Sequence, residues 1–393
     1  MPALSKKTEQ FTDSVIRRMT RIANQHQAVN LSQGFPDFDP PPALKNALQE
    51  AAAGHIHQYA VTWGAQDFRE ALANKQRRFM DIPIDPETDI VVTCGSTEAM
   101  MVAVMTVCDP GDRVIVFSPF YENYAADAIL TGAVPVYIPL RPPTFTFDAA
   151  ELEDAFRLER PKAIILCNPA NPTGKVFTRE ELITIGRLAE AYDTFVITDE
   201  VYEHIVYAPN THTYFASLPG MLERTISCSS LSKTYSITGW RLGYLIAPRH
   251  VTEAARKVHD FLTVGAASTL QAAAVTALNF DDAYYAELLQ AYTDRKTHFL
   301  SGLQSLGFTY TGPQGAYYVM VDISAYAAKS DLEFCEWMAR EIKVAAVPGS
   351  SFFREDVESF VRFHFAKEIA TLDAALDRLA DLPQKAKAHY GVK

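Results

Sequence analysis

The chain has 393 residues, of which 48% are hydrophobic and 21% charged, a composition typical of a globular enzyme rather than of a disordered chain. Its formal net charge of −11 argues against nucleic acid as a main partner, because phosphate backbones are bound by basic patches. The sequence contains no apolar run of membrane-spanning length and no signal-peptide core near its start, so we expect a cytoplasmic protein without a membrane partner.

Short apolar runs alternate with helical patterns between about residues 89 and 248. Most of these runs are too short for helices and are rich in β-branched residues, which is typical of strands buried on both faces of a mainly parallel sheet. The alternation predicts an α/β fold, with a seven-stranded sheet sandwiched by helices in a large domain. The runs cover 90–92, 114–117, 134–138, 163–166, 195–197, 226–228 and 242–247, and the helices are predicted over 97–107, 121–130, 179–192 and 251–262.

The C-terminal part of the chain predicts a smaller α+β domain. We expect an N-terminal segment (1–42) that joins this small domain, a large cofactor-binding domain (43–285) and the small domain itself (286–393). The proline-rich stretch 36–42 is interpreted as a rigid connector. A long helix over 281–306 is followed by predicted strands at 316–321, 344–347 and 360–365, and by predicted helices at 332–342 and 368–382.

Cysteine and histidine spacing gives no sign of a metal site. The five cysteines are odd in number and form no Cys-x-x-Cys pair, so neither a zinc ribbon nor a disulfide framework is supported, and a reducing compartment is expected. The ten histidines show no metal-ligand spacing, and we predict no metal. The sequence also lacks a dinucleotide fingerprint and a Walker-type loop.

The most informative segment is the run Ser-Leu-Ser-Lys-Thr-Tyr-Ser-Ile-Thr-Gly-Trp-Arg, which contains Lys233. A lysine amine in a dry, cationic pocket has a lowered pKa and can form an imine with an aldehyde. Ser230, Ser232 and Arg241 could bind a phosphate beside it. A phosphorylated aldehyde on lysine points to pyridoxal 5'-phosphate (PLP). A surface lysine in a serine-rich loop is the alternative.

Polar residues also follow three other predicted strands, where ligands bind in open α/β sheets. Asp199 could keep a pyridine nitrogen protonated, and Asn171 and Tyr202 could donate hydrogen bonds to the phenolate oxygen of the same ring. Gly95-Ser96-Thr97 precedes a helix and is typical of an anion site. The alternatives are a helix cap for Asp199 and Ser96, a proline-rich turn for Asn171 and a half-buried aromatic side chain for Tyr202.

Two further residues have a predicted role in binding. Tyr121 is placed at the start of a predicted helix, where its ring could stack on a planar cofactor, although Phe120 and Tyr124 compete and core packing would explain all three. Arg362 is the only charge in an apolar strand pattern, and its planar fork suits a carboxylate. A carboxylate of the protein is the alternative partner. The sequence assigns no second arginine to a substrate's side-chain carboxylate.

Taken together, these segments resemble the fold-type I PLP-dependent aminotransferases of class I/II over nearly the whole chain, from about Asn30 to the last helix. The stretches 30–38, 258–259 and 344–348 are similar to the methionine, glutamine and kynurenine aminotransferase subgroup. The motifs that carry the resemblance are Gln-Tyr at 58–59, Asn-Pro-Ala-Asn-Pro-Thr-Gly at 168–174, Asp-Glu-Val-Tyr at 199–202, Ser-x-Ser-Lys at 230–233, Gly-Trp-Arg at 239–241 and Arg362.

The resemblance implies roles around the cofactor ring. Lys233 would hold PLP and later shuttle the substrate's α-proton, and Asp199 would pair with the ring nitrogen. Asn171 and Tyr202 would bind the phenolic oxygen, and Tyr121 would stack on the ring.

It also implies two anion sites. Arg362 and the backbone at Gly34, with Asn171 nearby, would bind the substrate's α-carboxylate. The phosphate would be held by Ser96, Thr97, Ser230 and Arg241, together with Tyr59 from the neighbouring subunit of a homodimer with shared sites.

The activity implied by the resemblance is ping-pong transfer of an amino group from an L-amino acid to a 2-oxo acid, with methionine, glutamine or aromatic donors favoured. A cysteine S-conjugate β-lyase would use the same site, and a non-catalytic PLP-binding regulator is a second alternative. One departure concerns the stretch 264–268, which is small throughout, followed by Thr269 in place of a common proline. That stretch lines the side-chain pocket in relatives, so a roomier or differently shaped pocket is expected.

Overall fold

The computed structural model describes residues 2–11, 13–326 and 328–391. The N-terminal part contains helices α1 (Val15–His26), α2 (Pro42–Ala53) and α3 (Gln66–Met80), with the two-residue strand β1 (Val29–Asn30) after the first helix. Ser14 caps α1, because its side chain accepts a hydrogen bond from the Arg17 amide.

Strands and helices then alternate along the chain, as the sequence predicted. Their order is β2 (Ile90–Thr93), α4 (Ser96–Val107), β3 (Arg113–Ser118), α5 (Asn123–Thr131), β4 (Val134–Pro139), α6 (Ala149–Glu159), β5 (Ala163–Cys167), α7 (Arg179–Ala191), β6 (Phe195–Asp199), β7 (Thr225–Ser230) and β8 (Gly243–Ile246).

The last part is a mixture of helices and short strands. Its elements are α8 (Arg249–Thr263), α9 (Ser268–Leu278), α10 (Asp282–Ser305), β9 (Tyr310–Thr311), β10 (Tyr318–Asp322), α11 (Asp331–Trp337), β11 (Val344–Ala345), β12 (Val347–Pro348), β13 (Phe360–His364), α12 (Ile369–Leu379) and α13 (Leu382–Tyr390).

In the part of the chain that the structure describes, seven strands form the central sheet in the order β2-β8-β7-β6-β5-β3-β4. Only β8 runs antiparallel to its neighbours, β2 and β7. Every residue of β2, β7 and β8 is buried, because helices cover both faces of the sheet. The predicted α/β fold with a mainly parallel seven-stranded sheet is confirmed.

The direction of β2 matters for the position of the site. Because β2 and β7 are both antiparallel to β8, they are parallel to each other. The carboxyl ends of β2, β5, β6 and β7 therefore lie on one edge of the sheet. Ligands bind at this edge in open α/β sheets, and all four polar segments found in the sequence follow these strands.

A second sheet, β12-β13-β10-β9, is antiparallel and belongs to the C-terminal part. β1 pairs in parallel with β11, so the segment after α1 is hydrogen-bonded to elements more than 300 residues later in the chain. The division into residues 1–42, 43–285 and 286–393 stays a prediction. Within the described ranges, no helix has both the length and the apolar character needed to cross a membrane.

Several predicted boundaries differ from the structure. Tyr121 lies outside α5, which begins at Asn123, and the Tyr124 amide donates a hydrogen bond to the Tyr121 carbonyl in a turn over residues 121–124. The strand predicted at 344–347 is divided between two sheets, as β11 and β12. The helix predicted at 332–342 is α11 followed by a π-helical turn over Met338–Ile342. The closing helix breaks near residue 381, and Pro383 stands in the first turn of α13, where no amide donor is needed.

Candidate active site

A cavity of about 480 Å³ opens at the carboxyl edge of the central sheet. It brings together residues that the sequence had singled out from separate stretches of the chain. Eleven of the twelve predicted site residues line it: Lys233, Asp199, Tyr202, Asn171, Ser96, Thr97, Tyr121, Ser230, Arg241, Arg362 and Gly34. A cavity of this size suits a cofactor and a small substrate together.

Lys233 follows β7 and points its amine into the cavity. Nζ donates a hydrogen bond of 3.3 Å to the Gly34 carbonyl and lies 6.0 Å from the centre of the Tyr202 ring. Burial lowers the pKa of Lys233 to about 8, against the opposing effect of the Asp199 carboxylate, and Arg241 and Arg362 lower it further. A larger share of this amine is therefore neutral near neutral pH than of an ordinary lysine, and the neutral form is the nucleophile.

Asp199 is the last residue of β6 and is buried. Burial raises its pKa to about 6, while a hydrogen bond from Tyr124, the Val201 amide and the charge of Lys233 all act in the opposite direction. The Tyr124 hydroxyl donates to Oδ2 over 2.7 Å, and the Val201 amide donates to Oδ1 over 3.4 Å. A buried carboxylate of this kind gains most from a nearby cation, such as a protonated pyridine nitrogen.

Tyr202 and Asn171 reach the cavity from the segments after β6 and β5. The Tyr202 hydroxyl shares a hydrogen bond of 2.8 Å with the Tyr318 hydroxyl, and burial raises the Tyr202 pKa well above its usual value. The hydroxyl is therefore protonated and available as a donor. Tyr121 lies on the cavity wall with its ring edge-on to that of Tyr124, at a centroid distance of 5.8 Å.

The segment between β2 and α4 forms a cradle for an anion. Gly95 has φ +86°, and a Cβ atom built there would lie 2.3 Å from Arg241 Nη2. Ser96 and Thr97 open α4, whose free amides and dipole favour negative charge. Arg241 donates to the Thr238 carbonyl over 3.0 Å, which holds its guanidinium beside this helix end. Ser230 and Ser232 line the same part of the cavity.

Arg362, in β13, is almost fully buried, with 1% of its surface exposed. Nη1 donates to Asn171 Oδ1 over 2.6 Å and Nη2 donates to the Ser32 carbonyl over 2.7 Å. Nε is buried without a hydrogen-bond partner among the described residues, and none of their carboxylates lies within 4.0 Å of the guanidinium. Because a buried guanidinium requires a counter-ion, this geometry favours a ligand carboxylate over a carboxylate of the protein.

Tyr59 is the predicted site residue that does not line this cavity. It is 87% exposed, in a loop whose carbonyl oxygens at Gln58 and Ile56 accept hydrogen bonds from Ser268 and Thr269. The stretch 264–268 does not line the cavity of its own chain either. The stretch is hydrogen-bonded to the loop that carries Tyr59, and the expectation of a roomier or differently shaped substrate pocket stays a prediction.

Several cavity residues were missed in the sequence. Tyr124 was weighed only as a stacking ring, although it caps the Asp199 carboxylate, and Tyr318 had no role although it contacts both Tyr202 and Arg362. Arg17 of α1 also lines the cavity. Its position follows from the amphipathic pattern of 15–26, whose buried residues are Ile16, Met19 and Ala23, a signal that was available in the sequence.

The structure contains a larger hollow of about 910 Å³, between residues 82–86 and the start of α8. None of the predicted site residues lines it, so its size alone does not make it the site. Among the residues that the structure describes, no group of three or more His, Cys, Asp or Glu side chains could hold a metal ion.

The donor set of the smaller cavity fits PLP. It provides an amine with a lowered pKa, a buried carboxylate, protonated hydroxyl donors and a helix end with an arginine for a phosphate. These groups line one cavity and come from segments that follow four strands at one edge of the sheet. A planar, phosphorylated pyridine aldehyde requires each of them.

Comparisons with known proteins agree with this chemistry. The family model for aminotransferase class I and II matches residues 26–379. The methionine aminotransferase of Escherichia coli (strain K12) is 36% identical over 96% of this chain and 97% of that enzyme. Kynurenine–oxoglutarate transaminase 3 of Mus musculus is 37% identical over 94% of this chain and 88% of that enzyme.

A solved structure extends the likeness to the fold. The N-succinyldiaminopimelate aminotransferase from Mycobacterium tuberculosis superposes with a TM-score of 0.93 at 36% identity. The match covers 97% of this chain and 100% of the other.

Proposed function

The chain belongs to the family of class I and II aminotransferases, and from this premise we propose its substrates, the roles of its site residues and its assembly. It is a PLP-dependent enzyme that transfers an amino group between an amino acid and a 2-oxo acid. We propose that its preferred donors are methionine, glutamine or aromatic L-amino acids. The relatives named for methionine and for kynurenine support this choice.

The observation that carries the proposal is the pairing of Lys233 and Asp199 across one cavity. Their positions bring a nucleophilic amine and a buried acid to the same small space, and the charge of each shifts the pKa of the other. Neither group has a structural partner of opposite charge within 4.0 Å among the described residues. Two buried titratable groups of this kind are typical of an active site.

When bound, PLP supplies the electron sink that stabilises negative charge at the substrate's Cα. Asp199 holds a positive charge at the ring nitrogen, because a carboxylate without other cations in contact favours the protonated pyridine. Asn171 and Tyr202 donate hydrogen bonds to the phenolic oxygen. Tyr121 packs against the ring face and excludes water from it.

Two anion sites fix the reactants. Ser96, Thr97, Ser230 and Arg241 hold the phosphate at the start of α4. Arg362, whose guanidinium has no described carboxylate in contact, would bind the substrate's α-carboxylate, with the Gly34 backbone lining the same cavity. This orientation supplies a large part of the rate enhancement, since it aligns the Cα–H bond for removal.

Lys233 is the base in this proposal. Once its amine is free, Nζ would remove the proton from the substrate's Cα and would then deliver it to the former aldehyde carbon of the cofactor. A pKa of about 8 suits this role, because a base whose pKa is close to the operating pH both accepts and returns a proton readily.

A homodimer with shared sites completes the proposal. Exposed apolar residues lie near Tyr59 on two segments, 56–62 and 261–269, which are joined by hydrogen bonds from Ser268 to the Gln58 carbonyl and from Thr269 to the Ile56 carbonyl. An apolar patch of this kind is typical of a protein interface. In the dimer, Tyr59 would reach the phosphate of the neighbouring subunit. The exposed members of the patch are Ile56, Tyr59, Val61, Phe261, Leu262 and Val264.

We also propose a cytoplasmic location. The five cysteines are all free thiols, and their scattered positions suit a reducing compartment.

A panel of half-reactions tests the donor preference. The purified PLP form is mixed with each common amino acid in turn, without an acceptor, and the loss of the absorbance of the lysine-bound cofactor is followed. We expect methionine, glutamine or an aromatic amino acid to react fastest. If pyruvate and ammonia appear from a cysteine S-conjugate in the absence of an acceptor, the same site also acts as a β-lyase. A complete lack of reaction with these donors would overturn the proposal.

A further inference from the structure

The cavity has an excess of positive charge. Four cations line it, Arg17, Lys233, Arg241 and Arg362, against one acid, Asp199. In the proposed function, Lys233 attaches the cofactor, Arg241 faces its phosphate and Arg362 faces the substrate's α-carboxylate. With these three cations, the phosphate of PLP and the carboxylate of a monocarboxylic substrate each have a positively charged partner. Arg17 is left over.

Arg17 is held at the cavity by the start of α1. Glu122, just before α5, accepts hydrogen bonds from the Val15 and Ile16 amides through Oε1, so the first turn of α1 is tied to the segment that carries Tyr121. Ile16 is buried against Tyr121, Val347 and Phe352. Successive helix residues project about 100° apart, so Arg17 is exposed while Ile16 is buried, and both residues line the cavity.

No described carboxylate neutralises this arginine. Arg17 is exposed to solvent, and no described acid has an oxygen within 4.0 Å of its guanidinium, whereas the next residue, Arg18, pairs with Glu336. The charge of Arg17 is felt inside the cavity, because it opposes the burial that raises the Tyr121 pKa to about 12. An exposed guanidinium that lines a cavity and has no acid in contact is available to bind an anion.

Resting on the proposed function, we propose that Arg17 is a specificity-determining residue that binds the second carboxylate of dicarboxylic substrates, such as glutamate and 2-oxoglutarate. Arg362 would bind the α-carboxylate and Arg17 would bind the distal carboxylate, so that each guanidinium group contacts one end of the substrate. The enzyme would then use a neutral donor and a dicarboxylic acceptor in the same cavity. The sequence assigned no second arginine to a substrate's side-chain carboxylate, and Arg17, which lines the cavity, is the candidate that this proposal adds.

Glutamate and glutamine provide the sharpest test, since they have nearly the same size and differ by one charge. The rate constant for the half-reaction, divided by the half-saturating concentration, is measured for each donor, and the ratio of glutamate to glutamine is compared between variants. Arg17→Ala should lower this ratio about 10- to 100-fold, the effect of losing a hydrogen-bonded charge partner. Arg17→Lys should recover part of it, and Arg17→Glu should lower it further by repulsion.

Arg18→Ala is the matched control, because Arg18 neighbours Arg17 on α1 but pairs with Glu336 and does not line the cavity. It should leave the ratio at the wild-type value. Binding of glutarate, a dicarboxylate without an amino group, gives a readout that needs no turnover. Its dissociation constant, from spectral titration of the PLP form, should rise by a similar factor in Arg17→Ala.

An unchanged ratio in Arg17→Ala would overturn the inference. So would an equal loss for both donors together with a loss of the dimer, because Arg17 would then serve a contact between subunits. Both outcomes leave the proposed function intact, since that function fails only if the wild-type enzyme transaminates none of the donors in the panel.

Discussion

At the scale of single residues, the site depends on burial more than on any special residue type. Lys233 and Asp199 are ordinary side chains whose pKa values move towards neutrality because water is excluded from them. Their identities could be predicted from the sequence, since each follows an apolar run at a strand end. The size and cause of their shifts could not, because these depend on Tyr124, Arg241 and Arg362, which come from distant parts of the chain.

The lowered pKa of Lys233 predicts a pH dependence for cofactor loading. The rate at which the apoprotein attaches PLP should rise with pH to a midpoint near 8, since only the neutral amine reacts. Asp199→Asn should move this midpoint to lower pH, because the carboxylate favours the charged amine. Asp39→Asn is the control, as Asp39 is an exposed acid that pairs with Lys45, and it should leave the midpoint in place. A midpoint near the ordinary lysine value of 10.5 would contradict the burial argument.

The same pKa has a consequence for stability. Between about pH 8 and 10.5 the unfolded chain binds a proton at Lys233 that the folded apoprotein does not. This residue therefore makes the free energy of unfolding rise with pH across that window. The pKa of Asp199 is raised to about 6 from 3.8. Between about pH 4 and 6 the folded chain therefore binds a proton at Asp199 that the unfolded chain has released. The contribution of Asp199 to the free energy of unfolding therefore falls as pH rises from about 4 to 6.

At the scale of elements, the strands were easier to predict than the helices. Each strand of the central sheet corresponds to an apolar run that is visible in the sequence, because strands buried on both faces tolerate few polar residues.

Helix α9 was missed, since its alanine-rich sequence has no clear polar face. Helix α1 lies in the segment 1–42, which was interpreted only as joining the small domain, and this hid Arg17. Helices α2 and α3 were missed. The splitting of 344–347 between two sheets depends on tertiary pairing with β1 and β13, which no local pattern reveals.

The turn between β2 and α4 gives a prediction about one element. Gly95→Ala should weaken PLP binding about 10-fold or more, because the new Cβ would lie 2.3 Å from Arg241 Nη2 and displace the guanidinium from the phosphate site. The measurement is a titration of the apoprotein with PLP. Gly111→Ala is the matched control, since Gly111 also has a positive φ, +94°, but no atom lies within 4 Å of its added Cβ. It shares the backbone strain of about 1–2 kcal/mol and should keep wild-type affinity. Equal losses in both variants would assign the effect to strain.

At the scale of the whole molecule, the chain combines an acidic exterior with a cationic cavity. The net charge is −11, yet the cavity carries four cations and one acid. Such a field draws anionic substrates towards the opening and away from the rest of the surface. This contrast could not be predicted from composition, because net charge says nothing about where the charges lie.

The proposed homodimer gives a prediction for the assembled molecule. Phe261→Asp should convert the dimer to monomers, because Phe261 is 92% exposed in the single chain and belongs to the apolar patch around Tyr59. The monomers should bind PLP more weakly, since Tyr59 would no longer reach the neighbouring site. Leu158→Asp is the control: Leu158 is also exposed, at 66%, but lies on α6, away from the patch. Sedimentation velocity measures the assembly, and a wild-type monomer with full PLP affinity would contradict the shared site.

The attachment of the cofactor to Lys233, opposite Asp199, is the claim on which the other assignments depend. It is tested most directly by reducing the purified PLP form with borohydride, digesting it and locating the pyridoxyl group by mass spectrometry. We predict the label on the peptide that contains Lys233, and its absence from the same peptide after Lys233→Ala. A label on any other lysine, or unchanged labelling in the variant, would contradict the account.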